Sequence, residues 1–429
     1  MELKKVLIIS PYFPPINAAD MHRVRTSLSY FAAQGWEAQV VTVDVAYTDM
    51  VQDELLLQSI PVEIKVHKVK ALNKRWTGKL GLGSLALRSL WYYKKYLDQL
   101  LKAEHFDLIY FSTTQFPVCV LGAHWKKKFN VPYVIDMQDP WHSEYYQDKP
   151  KNQRPAKYWF SYRLNKYLEP LALKNVSGLI SVSADYITGL KQRYPQIKDV
   201  PSAVITFGLF DKDAEIALAN QNKFPKLLSP GFINIVYAGR GGADMHKAIT
   251  PLFSALAEGL KNNQEVFNRF RFHFIGTSYA ASGQGKPTIL PLAQQFAVEG
   301  LVTEITDRIS YYHTLTTLQQ ADALFIAGSD DAKYTASKIY PYLMMKKPLL
   351  AIFNPASSAI GILKDFGINT AYSYTDIKSQ QVNGFLTELA NGTLSVPQLS
   401  AAAINEHSAE TKTLKQCRLF DEALAYHLK

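Results

Sequence analysis

A chain of 429 residues exceeds what one ordinary hydrophobic core organises, so two domains are expected. Its 47% hydrophobic and 20% charged residues are those of a soluble globular protein, and the net charge of +10 favours anionic partners such as nucleotide diphosphates, anionic lipid or nucleic acid without choosing among them. Cys119 and Cys417 are the only cysteines, which excludes a disulfide framework and a cysteine-rich metal site and fits a reducing cytoplasm.

The N-terminus, MELKKVLIISPYFPP, does not read as a signal peptide, because its apolar run ends at Ile9 and prolines follow. No stretch approaches the roughly 20 apolar residues that span a bilayer, so any membrane contact is expected to be peripheral. Short apolar strands then alternate with amphipathic helices, the pattern of parallel sheets. Strands are expected at Lys5 to Ser10, Ala38 to Asp44, Val62 to Val69, Asp107 to Ser112, Pro132 to Asp139 and Gly178 to Ser183. A helix from about Met21 to Gln34 is stopped by Gly35. Together these make a doubly wound sheet over residues 1–206.

From Leu72 to Leu101, cations including Lys74, Arg75, Arg88 and Lys95 are interleaved with Trp76, Leu80, Leu82 and Trp91. The helix proper, about Ser84 to Leu101, is expected to pack on the first domain, and residues 72–83 form a candidate contact with anionic lipid. Residues 207–232, with Pro225 and Pro230, read as a linker. The rhythm restarts at Ile233 to Gly239, with further strands at Arg271 to Thr277, Ala323 to Ser329 and Pro348 to Phe353. A second domain thus covers 233–407, and a last helix over 408–429 is expected to return toward the first.

Ligands of open α/β sheets bind beyond the carboxyl ends of the strands, where helix N-termini offer N–H groups to anions. In Gly239 to Lys247 (GRGGADMHK), Gly239 and Gly241 permit close backbone approach, while Arg240 and Lys247 supply charge. The structural alternative is a flexible turn with two solvated cations. It is neither a P-loop nor the Gly-x-Gly-x-x-Gly nicotinamide fingerprint. Gly276 and Thr277 end a strand before a small-residue loop. Arg308 to Ala323 is a unit that would close over a base or ribose, on a nonspecific pattern. Beyond Ser329 and Asp330, a helix is expected from about Ala336, with Ser337 and Lys338 in its first turn. A cation there opposes the helix dipole, which makes sense beside a bound diphosphate; otherwise its stem covers apolar neighbours. On the first domain, His22 and Arg23 begin the first helix, and Asp139 and Trp141 follow a strand. Asp139 is a candidate base toward an acceptor hydroxyl or, equally, a helix cap. Asp136, Asp139, His142 and Glu144 show no metal-ligand spacing, and no metal site is expected. The scattered basic residues and lack of a recognised motif argue against nucleic acid.

These segments resemble the GT-B glycosyltransferases, particularly the large retaining family 4, over nearly the whole chain. SPYFPP and GWEAQVVTVD are similar to the family's opening strand, loop and second strand. YAGRGG with Lys247 is similar to its donor-phosphate loop, and ADALFIAGSDDAKYTASKIYPYLMMKKPLLAI to its donor-sugar stretch. The resemblance implies two Rossmann-like domains facing one cleft, with no cofactor and a nucleotide-diphospho-sugar as donor substrate. Arg240, Lys247 and Lys338 would hold the diphosphate, and Gly239, Gly276, Thr277, Ser329, Ser337 and Tyr340 would line the donor site. A carbohydrate or lipid-linked acceptor is implied, in polysaccharide or glycolipid synthesis, and the basic and aromatic residues of 72–83 add a peripheral contact with the inner face of a membrane to the expected cytoplasmic location. The family's glutamate pair falls here on Lys333 and Pro341, its usual histidine on Gln138 before Asp139, and its first-loop glycines on Ala18 and Ala19. Divergent relatives share a pattern like Ser337, Lys338 and Tyr342. A sugar-nucleotide epimerase and a catalytically degenerate scaffold are the alternatives.

Overall fold

A computed structural model of the chain describes residues 2–77, 83–144, 147, 150–151, 154, 158–280, 282–331 and 338–429. Two units emerge, Met1–Gly208 with Ala409–Lys429, and Leu209–Ser408.

The first unit is built on β1 (Lys4–Ile9), β2 (Trp36–Val43), β3 (Lys65–Val69), β4 (Leu108–Ser112), β5 (Tyr133–Met137), β6 (Gly178–Ser181) and β7 (Ser202–Val204). They pair in the order β3-β2-β1-β4-β5-β6-β7, each pair parallel. β4 and β5 are buried along their whole length, as strands covered by helices on both faces must be. Side chains alternate across a strand, so Leu7 and Ile9 enter one apolar cluster while Val6 and Ile8 enter another. The second cluster is completed by the last helix, Ala409–His427. Its Phe420 meets Trp36 edge-on at 5.4 Å between centroids, and its Gln416 donates to Ser27 Oγ at 2.8 Å.

The second unit repeats the topology with β8 (Ile233–Ala238), β9 (Phe270–Ile275), β10 (Val302–Ile305), β11 (Ala323–Ala327), β12 (Leu349–Phe353) and β13 (Ala371–Ser373), ordered β10-β9-β8-β11-β12-β13. Both sheets are therefore Rossmann-like, reversing direction between β1 and β4 and between β8 and β11. The short strands β7, β10 and β13 escape a sequence reading because three or four residues carry too little periodicity.

Two expectations meet a different structure. The first helix is continuous only over Met21–Ser27, with a separate turn of 3-10 helix at Ala32–Gln34 before Gly35, whose φ of 81° closes it. Residues 209–232 of the segment read as linker lie in the second unit, where Asp211–Ala219 is helical. Its buried Asp213 accepts from Tyr312 Oη at 2.7 Å and Tyr311 Oη at 2.9 Å, tying it to the Tyr311–Gln320 helix. Those tyrosines, from the segment expected to close over a base, are thus bound to the fold itself. Pro225 and Pro230 mark a turn, but Ile216 and Ala217 supply an apolar face ahead of them.

Candidate functional site

In the second domain the chain leaves β8 at its carboxyl end and runs extended past β9, with Gly239 N–H donating to Ile275 O and Gly241 N–H to Thr277 O. Crowding favours glycine at 241, where a Cβ would lie 2.6 Å from Thr288 Oγ1, and a Cβ on Gly239 would lie 2.8 Å from Lys338 Nζ, the tip of a flexible side chain. That second approach brings the lysine ammonium against the loop backbone.

Lys338 is the N-cap residue of the Ile339–Met344 helix, which fixes it at the mouth of the sheet's switch point. Its Nζ donates to Tyr237 Oη at 2.6 Å and sits 4.3 Å from that ring's centre, while Tyr237 Oη donates to Arg240 O at 2.8 Å. Two turns of contact hold this helix on β8, because Tyr342 Oη also accepts from Ala238 N–H at 2.7 Å and donates to Ala238 O at 3.2 Å. Burial pushes the Lys338 ammonium down to about 7, helped by the cations of Arg240 and Arg308 and opposed by Asp244. Among the described residues, two arginines and one carboxylate thus act on Lys338.

Arg240 forks onto Asp244, with Nη1 3.1 Å from Oδ1 and Nη2 bonded to Oδ2. Asp244 also accepts from Ser329 Oγ at 2.7 Å, which ties the end of β11 to the loop after β8. Burial disfavours the charged Asp244, but the bonds from Arg240 and Ser329 outweigh it and hold the carboxyl below its ordinary range. Arg308 lies over the Tyr279 ring at 4.3 Å. Neither Tyr237, Asp244 nor Arg308 was singled out in the sequence, since their value comes from β8, β10 and the loops meeting in space.

The structure thus gathers Gly239, Arg240, Gly241, Ser329 and Lys338, with Thr277 against Gly241, while the side chains of other expected donor residues are turned to other partners or to solvent. Thr277 Oγ1 donates to Glu304 Oε1 at 2.7 Å, and Glu304 also accepts from the N–H groups of Thr288, Ile289 and Leu290. Gly276 has φ 75° and faces the Arg308 backbone. Tyr340 is buried with its Oη 3.1 Å from His407 Nδ1, so its side chain packs the helix in place. Lys247 and Asp330 are exposed. Ser337 and Lys333 lie outside the described residues.

In the first domain, Arg23 is directed inward rather than toward an acceptor. Its Nε lies 2.6 Å from Asp136 Oδ2, both side chains being almost wholly buried, and its Nη2 donates to Ile205 O at 2.6 Å. Ser112, Tyr110 and Gln138 also donate to Asp136, so the residue in the family's histidine place serves a buried network. His22 is half-buried with Nδ1 3.0 Å from Arg25 Nη2.

Asp139 and Trp141 do come together, at a pocket of about 370 Å³ beyond β4 and β5. Trp141 stacks on Phe116 at 5.4 Å, and its indole N–H donates to Asn165 Oδ1 at 3.1 Å, both partners lining the same pocket. Asp139 stands at the rim. Nearby protein atoms displace water from its carboxyl, and Asp20 and Asp136 repel its charge, which together raise it to about 6. Among the described residues no group of three or more His, Cys, Asp or Glu side chains is gathered to hold a metal, and no helix is long and apolar enough to cross a membrane.

Residues 22–200 match the glycosyl transferase 4-like domain family. Curated protein sequences give no match. Among solved structures, a UDP-forming α,α-trehalose-phosphate synthase from Burkholderia xenovorans in complex with glucose-6-phosphate is similar over 97% of this chain and 100% of its own, with TM-score 0.61 and 12% identity. A glycosyltransferase from Rickettsia africae aligns over 99% of each chain with TM-score 0.55 and 12% identity. An E. coli trehalose-6-phosphate structure bound with UDP-2-fluoro glucose is similar over 99% of this chain and 97% of its own, with TM-score 0.53 and 12% identity. Residues 22–200 are thus similar to the glycosyl transferase 4-like domain, and the chain as a whole has the fold of the GT-B glycosyltransferases.

Proposed function

We propose that this protein is a retaining, metal-independent hexosyltransferase. It would move a sugar from a nucleotide-diphospho-sugar, held by the second domain, to a hydroxyl of a carbohydrate or lipid-linked acceptor, held by the first. The observation that carries this reading is the cation cluster of Arg240, Arg308 and Lys338 at the β8 and β11 switch point, with Lys338 depressed to about 7. A donor diphosphate supplies the missing anion there. The neighbour bound with UDP-2-fluoro glucose supports the same donor class.

In the proposed step, the bond from the sugar's anomeric carbon to the diphosphate oxygen breaks, and the diphosphate leaves with the electron pair. The acceptor oxygen bonds to that carbon on the face the diphosphate leaves, and its proton passes to a phosphate oxygen. Charge grows on the leaving group, so Arg240 and Lys338 act by stabilising it, the role a metal ion fills elsewhere. Asp139, largely ionised at neutral pH, would orient the acceptor hydroxyl by accepting its hydrogen bond. Lys338→Ala is expected to abolish turnover while the fold persists; turnover at the wild-type rate would overturn the assignment.

A catalytically silent scaffold is the second reading, favoured by the fork from Arg240 to Asp244, which already pairs the arginine. Calorimetry separates the two, because a scaffold without a donor site binds no nucleotide diphosphate.

A cytoplasmic, membrane-peripheral location is supported by exposed aromatics beside cations. Trp91 is 61% exposed with Lys95 over its ring at 5.2 Å, and Trp159 is 65% exposed with Arg163 at 5.8 Å. The rest of the Leu85–Ala103 helix buries Leu85, Tyr93 and Leu97 in the core. Leu72 is also exposed, and residues 78–82 of the same segment lie outside the described residues. Failure to float with anionic liposomes at low salt would remove this part of the proposal.

A further inference from the structure

The first domain carries a second pocket, of about 450 Å³, beyond the carboxyl ends of β2 and β3. Its lining includes Tyr47, Asp49, Asn73, Lys74, Arg75 and Arg88. Arg88 is 4% exposed and donates to Leu72 O at 2.6 Å and Tyr47 O at 2.8 Å, so it joins the two loops that form the walls. Those carbonyls carry no net charge, and Arg88 Nε is buried without a hydrogen-bond partner. Lys74 pairs with Asp49 at 2.6 Å, and the Arg75 side chain is exposed. Three cations therefore face one carboxylate.

These two pockets are neighbours across one helical turn. Ser84 and Leu87 line the pocket of Asp139 and Trp141, while Arg88, the next residue, lines the basic one. Consecutive residues point about 100° apart around a helix, so the two pockets lie on adjoining faces of one helical turn. Charge is divided between the pockets in the same way. Among the described residues the Asp139 pocket is lined by no lysine or arginine, and its carboxylate would repel a phosphate placed beside it.

We infer that the basic pocket of Lys74, Arg75 and Arg88 binds the phosphate of a phosphorylated acceptor, whose sugar ring lies in the neighbouring pocket against Trp141. This rests on the reading that the Asp139 pocket takes the acceptor. A soluble sugar phosphate and a lipid-linked phosphosugar both present anionic phosphate oxygens, and the exposed Arg75 guanidinium beside Lys74 suits both, while the Arg88 fork is held by the Leu72 and Tyr47 carbonyls and contributes its charge.

The test compares glucose 1-phosphate with methyl glucoside by calorimetry on the full chain, with UDP at saturation to keep the phosphate probe out of the second domain. The wild type should bind the phosphate at least tenfold more tightly than the neutral glycoside. Lys74→Glu with Arg75→Glu should erase that preference and leave UDP affinity unchanged. These two side chains are exposed, so the fold should survive, whereas Arg88→Ala would also release the loops at Leu72 and Tyr47. No preference in the wild type, or a preference that persists in the double variant, overturns the inference. So does a double variant that keeps the preference while losing binding to phosphatidylglycerol vesicles, since the cations would then serve a membrane surface. A lipid-linked acceptor is distinguished from a soluble one by adding an undecaprenyl phosphosugar in detergent, which should bind more tightly than glucose 1-phosphate only if the lipid contributes. UDP titrated alone reports separately on the second domain: its failure to bind removes the donor assignment without touching the phosphate preference.

Discussion

Binding of a nucleotide diphosphate to the second domain is expected to draw a proton onto Lys338. With its ammonium at about 7, Lys338 holds about half a proton at pH 7 and about a tenth of one at pH 8. A diphosphate beside Nζ supplies the counter-charge that Arg240 and Arg308 deny it, returning the group toward its ordinary value of 10.5. Uptake should then be about 0.5 proton at pH 7 and about 0.9 at pH 8, and UDP affinity should fall about tenfold per pH unit above 8. Titration calorimetry in two buffers of different ionisation enthalpy measures the proton count directly. Lys338→Ala should show none of this uptake. Stability follows the same linkage: between about 7 and 10.5 the unfolded chain binds more protons than the folded one, so the ligand-free domain grows more stable as pH rises through that window, and UDP should flatten the rise. A wild type that takes up no proton at pH 8, or a Lys338→Ala variant with the same uptake, would refute the assignment.

Three further outcomes are expected. Arg23→Ala leaves Asp136 buried without its cation, and urea denaturation should show a loss of about 3–5 kcal/mol; a loss under 1 kcal/mol would mean the pair is not buried as described. On the proposed role of Asp139 as a carboxylate, with its carboxyl at about 6, kcat/KM should fall as pH drops below 6, and Asp139→Asn should be slow and lack that limb. A variant that retains the limb assigns it to another group. Gly241→Ala places a methyl group 2.6 Å from Thr288 Oγ1, and by shifting the loop that carries Arg240 it should weaken UDP binding at least tenfold in calorimetry. Equal affinity would show that the loop yields without moving the arginine.

Local chemistry was legible where one side chain decides the outcome. Val6 to Ile9 reads as a buried strand because four apolar residues in a row suit a sheet covered on both faces, and Gly35 ends its turn because only glycine adopts that backbone freely. The glycines after β8 and the cations Arg240 and Lys338 stood out because phosphate chemistry needs backbone approach and charge together. What the sequence could not reveal is which polar groups already have partners. Arg23, Thr277 and Tyr340 have the right chemistry for a ligand, yet each is occupied by Asp136, Glu304 or His407, residues 113, 27 and 67 positions away. The acidic partner of Arg240 was near in sequence, but Ser329, 85 positions on, is what fixes Asp244 in place.

By itself, then, the sequence determined the repeated strand and helix order and the residue types able to meet a diphosphate, since periodicity and glycine placement act within a few residues. Only the tertiary structure decided which of those residues retain unspent charge. Lys338 owes its depressed ammonium to burial and to Arg240 and Arg308, brought beside it from the ends of β8 and β10, and Asp139 owes its raised carboxyl to burial and to Asp20 and Asp136. Desolvation and Coulomb forces depend on distance in space, and strands paired across a sheet set those distances irrespective of separation along the chain.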